Sequence, residues 1–151
     1  MANDDRELTT TLRLGSQPDA SPAESALLES LLSNASMDEK ATFEEIINGQ
    51  PNRAMFVIYK GPAKGSRYLI TSTGATIGRS HESEIFLDDV TVSRSHAVVS
   101  YQDSEQTFLI TDSSSLNGTY VNSKSIENTV LSNGDEVQIG KFHLLFIVGQ
   151  K

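Results

Sequence analysis

Ala97-Val98-Val99-Ser100-Tyr101-Gln102-Asp103-Ser104-Glu105-Gln106-Thr107-Phe108-Leu109-Ile110 sets two β-rich runs on either side of a polar break. Val, Ile, Tyr, Phe and Thr suit a pleated, half-buried surface, whereas Asp103-Ser104 is turn chemistry. A connection this short joins antiparallel neighbours. The same texture extends in both directions. Upstream lie Met55-Phe56-Val57-Ile58-Tyr59, Arg67-Tyr68-Leu69-Ile70, Ala75-Thr76-Ile77 and Glu84-Ile85-Phe86-Leu87. Downstream lie Thr119-Tyr120-Val121, Thr129-Val130-Leu131, Glu136-Val137-Gln138-Ile139 and the apolar run at 142–148. Gly61-Pro62, Thr73-Gly74, Asp88-Asp89, Asn117-Gly118 and Asn133-Gly134 punctuate them. About ten strands at roughly ten-residue spacing, with no helical period, predict an all-β domain over residues 54–151, an antiparallel sandwich or barrel.

Residues 1–53 read as an acidic tail. They carry 10 acidic and 4 basic side chains, a net −6 of the chain's −8. Duplex nucleic acid is bound mainly by clustered Lys and Arg, so this balance argues against it as a partner. Around Gly15-Ser16-Gln17-Pro18-Asp19 the composition is that of a linker. Ser21-Pro22-Ala23-Glu24 then resembles a helix start, followed at helical spacing by Leu27, Leu28, Leu31 and Leu32. Phe43, Ile46 and Ile47 form a second apolar cluster before Asn48-Gly49-Gln50-Pro51. Helices this short are marginal alone in water, so a flexible tail with partial helical bias, ordering only against a surface, is expected over residues 22–48.

The chain has 151 residues and no cysteine, which suits one domain with a tail and a reducing cytoplasm. Its first residues lack the apolar core of a signal peptide, and no apolar run reaches membrane-spanning length. Thr9-Thr10-Thr11 sits in this acidic stretch as an accessible kinase target.

Polar and turn-forming residues between the strands form an ordered set: Gly78-Arg79, Ser93-Arg94-Ser95-His96, and Asn117-Gly118 with Thr119 and Asn122 behind. Two guanidinium groups, a serine hydroxyl and an amide offered by separate loops at one end of a β-scaffold suit a dianionic phosphate. His81, His96 and His143 lack ligand spacing, so neither a metal nor another cofactor is expected. Ser93 and His96 have no evident third group or oxyanion loop, so catalysis is not expected either.

In order and spacing these motifs resemble the forkhead-associated (FHA) domain, a phosphothreonine-binding β-sandwich, over roughly residues 54–148. The resemblance implies that Arg79, Ser93 (through its hydroxyl and backbone N–H) and Arg94 contact phosphate, and that Asn117 holds the ligand backbone. It implies structural roles for Gly78, His96, Gly118 and Asn122, with Gly78 and Gly118 permitting turns. Leu116 stands where the family often has a phosphate-contacting Ser or Thr, and Ser115 or Ser114 is expected to compensate.

The stretches at 85–96, 115–122 and 134–142 further resemble a family of actinobacterial FHA regulators with a kinase site in a short N-terminal tail. What that resemblance implies is a cytoplasmic, monomeric, non-catalytic regulator. It would inhibit 2-oxoglutarate dehydrogenase, through its E1 component, and act on glutamate-metabolising enzymes. A Ser/Thr protein kinase would modify Thr9, Thr10 or Thr11, and the phosphorylated tail would occupy the chain's own pocket. The alternative is a general adaptor recruiting phosphothreonine partners in trans.

Overall fold

The computed structural model describes residues 22–151, with side chains from residue 27 onward; the threonines at 9, 10 and 11 lie outside it. Two helices precede eleven strands: α1 Pro22–Asn34, α2 Met37–Ile47, β1 Ala54–Lys60, β2 Arg67–Ile70, β3 Ala75–Gly78, β4 Ile85–Phe86, β5 Ala97–Gln102, β6 Thr107–Asp112, β7 Thr119–Val121, β8 Lys124–Ile126, β9 Asn128–Leu131, β10 Glu136–Ile139 and β11 Phe142–Val148. The strands form a six-stranded sheet, β2-β1-β11-β10-β7-β8, and a five-stranded sheet, β4-β3-β5-β6-β9. Of the alternatives left open by the strand pattern, the sandwich is the one formed.

Alternation along the strands fills the space between the sheets. Phe142, Leu144 and Phe146 of β11 and Phe56 and Ile58 of β1 point inward, to meet Ile77, Val99, Phe108 and Ile110 of the other sheet. Phe146 joins the two layers, with ring centroids 5.3 Å from Phe56 and 6.0 Å from Phe108.

The outward residues of the same strands are buried as well. Met55, Val57, Leu145 and Ile147 form a second cluster with Phe43 and Ile46 of α2, against which Leu27, Leu28, Leu31 and Leu32 of α1 pack. A strand covered on both faces reads as a continuous apolar run, which is why β1 and β11 lack alternation. The surface that orders the helices is therefore the protein's own sheet. Burying a side chain the size of Phe43 or Ile46 stabilises this attachment by about 2 kcal/mol each.

A capping box starts α2: the Ser36 hydroxyl accepts the Glu39 N–H at 3.2 Å, and the Glu39 carboxylate accepts the Ser36 N–H at 3.0 Å. Beyond the helix, the Ile47 carbonyl accepts the Gln150 N–H at 2.8 Å, and the Arg53 carbonyl accepts the Gly149 N–H at 3.1 Å. The division at residue 53 read from composition thus places in the tail a helix that is packed and hydrogen-bonded to the sandwich.

Pairing is antiparallel as expected except at one edge, where β3 and β4 run parallel. Reciprocal bonds hold β4 there: the Glu84 carboxylate accepts the Thr76 N–H at 2.9 Å, and the Thr76 hydroxyl accepts the Glu84 N–H at 3.1 Å. Ile85 and Leu87 then reach the core, each at most 2% exposed. The chain between the two strands, residues 79–84, is left as a loop at the end of the sandwich.

Candidate functional site

Three loops meet at that end: residues 79–84, 87–96 and 113–118. The middle one is a strut for the other two. Its successive carbonyls at Thr91, Val92, Ser93 and Arg94 accept, in order, the Asn117 Nδ2–H at 2.9 Å, the Arg79 Nε–H at 3.0 Å, the Arg79 backbone N–H at 2.9 Å and the Ser80 N–H at 3.2 Å. With Nε committed, the Arg79 side chain is oriented and its Nη groups remain for a ligand. Arg79 and Arg94 are both exposed, and among the described residues neither is paired with a carboxylate.

His96 braces the strut from below. Its ring is fully buried; Nδ1 accepts the Ser93 N–H at 3.0 Å, so the proton sits on Nε2, which donates to the Gly118 carbonyl at 2.9 Å. This bridge from His96, the residue before β5, ties Ser93 of the middle loop to Gly118 of the loop at 113–118. It also corrects an expectation: the Ser93 N–H is spent on the imidazole and is not available to a phosphate. The Ser93 oxygen accepts the Leu116 N–H at 3.0 Å, leaving its hydroxyl proton as the donor this residue can offer.

The Ser115 hydroxyl, expected to compensate for Leu116, is already engaged. Its proton goes to Asp112 Oδ1, and its oxygen accepts the Gly118 N–H at 3.0 Å. A hydroxyl has one proton, and here it is committed to Asp112. Ser115 instead belongs to a network centred on Asp112, whose Oδ1 also accepts the buried Thr119 hydroxyl at 2.7 Å. Burial alone would raise the Asp112 pKa, but the donors on Ser115 and Thr119 outweigh it and hold the carboxyl below the usual range.

Gly118 has the expected left-handed backbone, with φ +84°. Gly78 differs in its reason: it makes no turn, but a Cβ there would stand 2.0 Å from the Arg94 carbonyl oxygen. Its smallness lets β3 lie against the strut. Asn122 belongs elsewhere in the fold: with Ser123 it supplies the two positive φ values, 52° and 70°, of the tight β7–β8 turn. Its amide donates to Asp135 Oδ1 at 3.1 Å and accepts the Glu136 N–H at 3.0 Å.

Sequence reasoning singled out neither Thr91 nor the partner role of Asp89. Asp89 Oδ2 accepts both the Thr91 N–H, at 2.9 Å, and the Thr91 hydroxyl. An Asp two residues before a Thr in a turn-rich stretch is the local signature that could have found them. An apolar groove of about 430 Å³ lies between α1, α2 and β1, lined by Leu27, Leu31, Phe43, Val57 and Tyr59 among others, and shares no residue with the three loops. Among the described residues no cluster of His, Cys, Asp or Glu is placed to hold a metal, and no helix is long and apolar enough to cross a membrane.

The pattern of the FHA domain matches residues 75–140, which includes all three loops. Glycogen accumulation regulator GarA of Mycobacterium tuberculosis is 45% identical over 124 residues, covering 80% of this chain and 75% of GarA. The chain belongs to the FHA family. Within it, the similarity runs into the helical region: the oxoglutarate dehydrogenase inhibitor of Corynebacterium jeikeium is 40% identical over 146 residues, covering 96% of this chain and 85% of the inhibitor. Among solved structures, Mycobacterium tuberculosis EmbR in complex with a low-affinity phosphopeptide superposes with a TM-score of 0.59 at 26% identity, covering 88% of this chain and 38% of EmbR.

Proposed function

We propose that this protein is a non-catalytic phosphothreonine-binding regulator that inhibits 2-oxoglutarate dehydrogenase through its E1 component, acts on glutamate-metabolising enzymes, and is switched off when a cytoplasmic Ser/Thr kinase phosphorylates Thr9, Thr10 or Thr11. The observation that carries the reading is the strut at Thr91 to Arg94, which holds Arg79 and Asn117 ready beside the Ser93 hydroxyl. Arg79 and Arg94 supply charge, Ser93 a neutral donor and Asn117 an amide for the ligand backbone. Phosphothreonine carries about −1.5 to −2 charge, and each charge-assisted bond to it contributes about 1.5 to 3 kcal/mol. An unphosphorylated threonine forgoes these bonds, so the tail leaves the pocket and the surface becomes available to the enzyme partner. The name of the oxoglutarate dehydrogenase inhibitor relative supports 2-oxoglutarate dehydrogenase as the target.

The packed helices sharpen the intramolecular step. The tether that matters runs from the threonines to Pro22 rather than all the way to Arg79; eleven chain steps separate Thr11 from Pro22, a reach of at most about 40 Å. A tether this short gives an effective concentration of up to about the millimolar range, so a micromolar phosphopeptide site would be almost wholly self-occupied. The deciding assay measures purified 2-oxoglutarate dehydrogenase activity with the full chain before and after phosphorylation. Inhibition by the unmodified chain and its loss after phosphorylation are expected; inhibition unaltered by phosphorylation overturns the switch.

A further inference from the structure

Asn117 can read a ligand backbone only if its amide is held the right way round, and its holder is Thr91. The Thr91 carbonyl accepts the Asn117 Nδ2–H at 2.9 Å, which leaves Oδ1 and the second N–H to face outward. Thr91 is itself pinned through its side chain. Its hydroxyl donates to Asp89 Oδ2 and accepts the Lys141 N–H at 3.0 Å, while its own N–H goes to the same carboxylate oxygen at 2.9 Å. The β10–β11 turn comes close enough for this because residue 140 is glycine: at φ +58°, a Cβ there would stand 2.4 Å from Thr91 Oγ1. Hydrogen bonds to the Thr91 hydroxyl therefore tie loop 87–96 to the far turn, and its carbonyl passes that fixed position to Asn117. The Asp89 carboxyl is held below its ordinary range chiefly by the bonds from Thr91, so it stays an acceptor near neutral pH.

From this geometry we propose that the Asp89–Thr91 pair is a positioning device for Asn117, setting the affinity for the backbone around a phosphothreonine without touching the phosphate. The proposal rests on the phosphothreonine reading of the pocket. Thr91→Val keeps the shape and removes the hydroxyl bonds; Thr91→Ser keeps them.

The probes are synthetic peptides of residues 4–15 carrying phosphothreonine at position 9, 10 or 11, titrated by NMR into the full chain and its variants. Thr91→Val should bind about tenfold more weakly and Thr91→Ser within about twofold of the parent. In an Asn117→Ala background, Thr91→Val should cost nothing further, because the amide it positions is gone. An unchanged affinity in Thr91→Val, or an equal loss in both backgrounds, overturns the proposal, the second by showing general loosening. Should Thr91→Val not fold, Asp89→Asn is read in the same cycle, with a loss of about threefold expected in the Asn117 background alone. A parent chain that binds none of the three peptides overturns the pocket reading and the proposal with it, an outcome distinct from either failure of the variants.

Discussion

At the scale of single residues, the site is a matter of which donors are already spent. Ser93 and Ser115 have the same side chain and sit in adjoining loops, yet one has its hydroxyl proton uncommitted among the described residues and the other gives it to Asp112. Arg79 spends Nε on Val92 and keeps its terminal nitrogens. Arg79→Ala and Ser93→Ala should therefore each weaken binding of the phosphorylated tail peptide, the former by about a hundredfold or more if two charge-assisted bonds are lost. Calorimetry is the measurement, with a thermal melt to show that the fold survives. Ser115→Ala should act through the Asp112 network, lowering the melting temperature. Gly78, Arg79, Ser93, His96 and Asn117 were legible in the sequence as residue types in order. The distribution of their protons was not, because Arg79 bonds Val92, Ser93 bonds Leu116, His96 bonds Gly118 and Asn117 bonds Thr91, all remote along the chain.

Among the elements, α2 is where composition and packing diverge most. Its residues are acidic outward and apolar at Phe43 and Ile46, a face that fits the covered side of β1 and β11. The helix is legible in part: the apolar cluster before Asn48-Gly49 marks its end, whereas its start at the Ser36–Glu39 capping box was not read from the sequence. Its attachment is not legible, since a short amphipathic segment reads the same whether its partner is within the chain or outside it. Phe43→Ala should cost about 3 to 5 kcal/mol if the cavity does not collapse. A lowered melting temperature and loss of hydrogen-exchange protection over residues 37–47 are the expected outcome, while an unchanged melt would mean that α2 contributes nothing to the sandwich. The parallel β3–β4 edge was similarly hidden, because a strand two residues long has too little pattern to show its direction.

For the molecule as a whole, the packed helices bring the start of α1, Pro22, rather than Arg79, next in sequence after the threonines at 9, 10 and 11 as the point from which the proposed switch is tethered. In the phosphorylated full chain at dilute concentration, NMR should show contacts between the phosphothreonine and loops 79–84, 87–96 and 113–118, independent of protein concentration. Contacts that grow with concentration would point to exchange between copies, and their absence would refute self-recognition. The sequence by itself determined the β-domain, the turn positions and the order of the motif residues, because hydrophobic period and turn chemistry are local properties of the chain. Only the tertiary structure decided that α1 and α2 cover the six-stranded sheet and that Thr91 holds Asn117. The first rests on the packing of Phe43 and Ile46 in one cluster with Leu145 and Ile147, and the second on hydrogen bonds between residues 26 and 50 positions apart, Thr91 to Asn117 and Thr91 to Lys141, which no local pattern encodes.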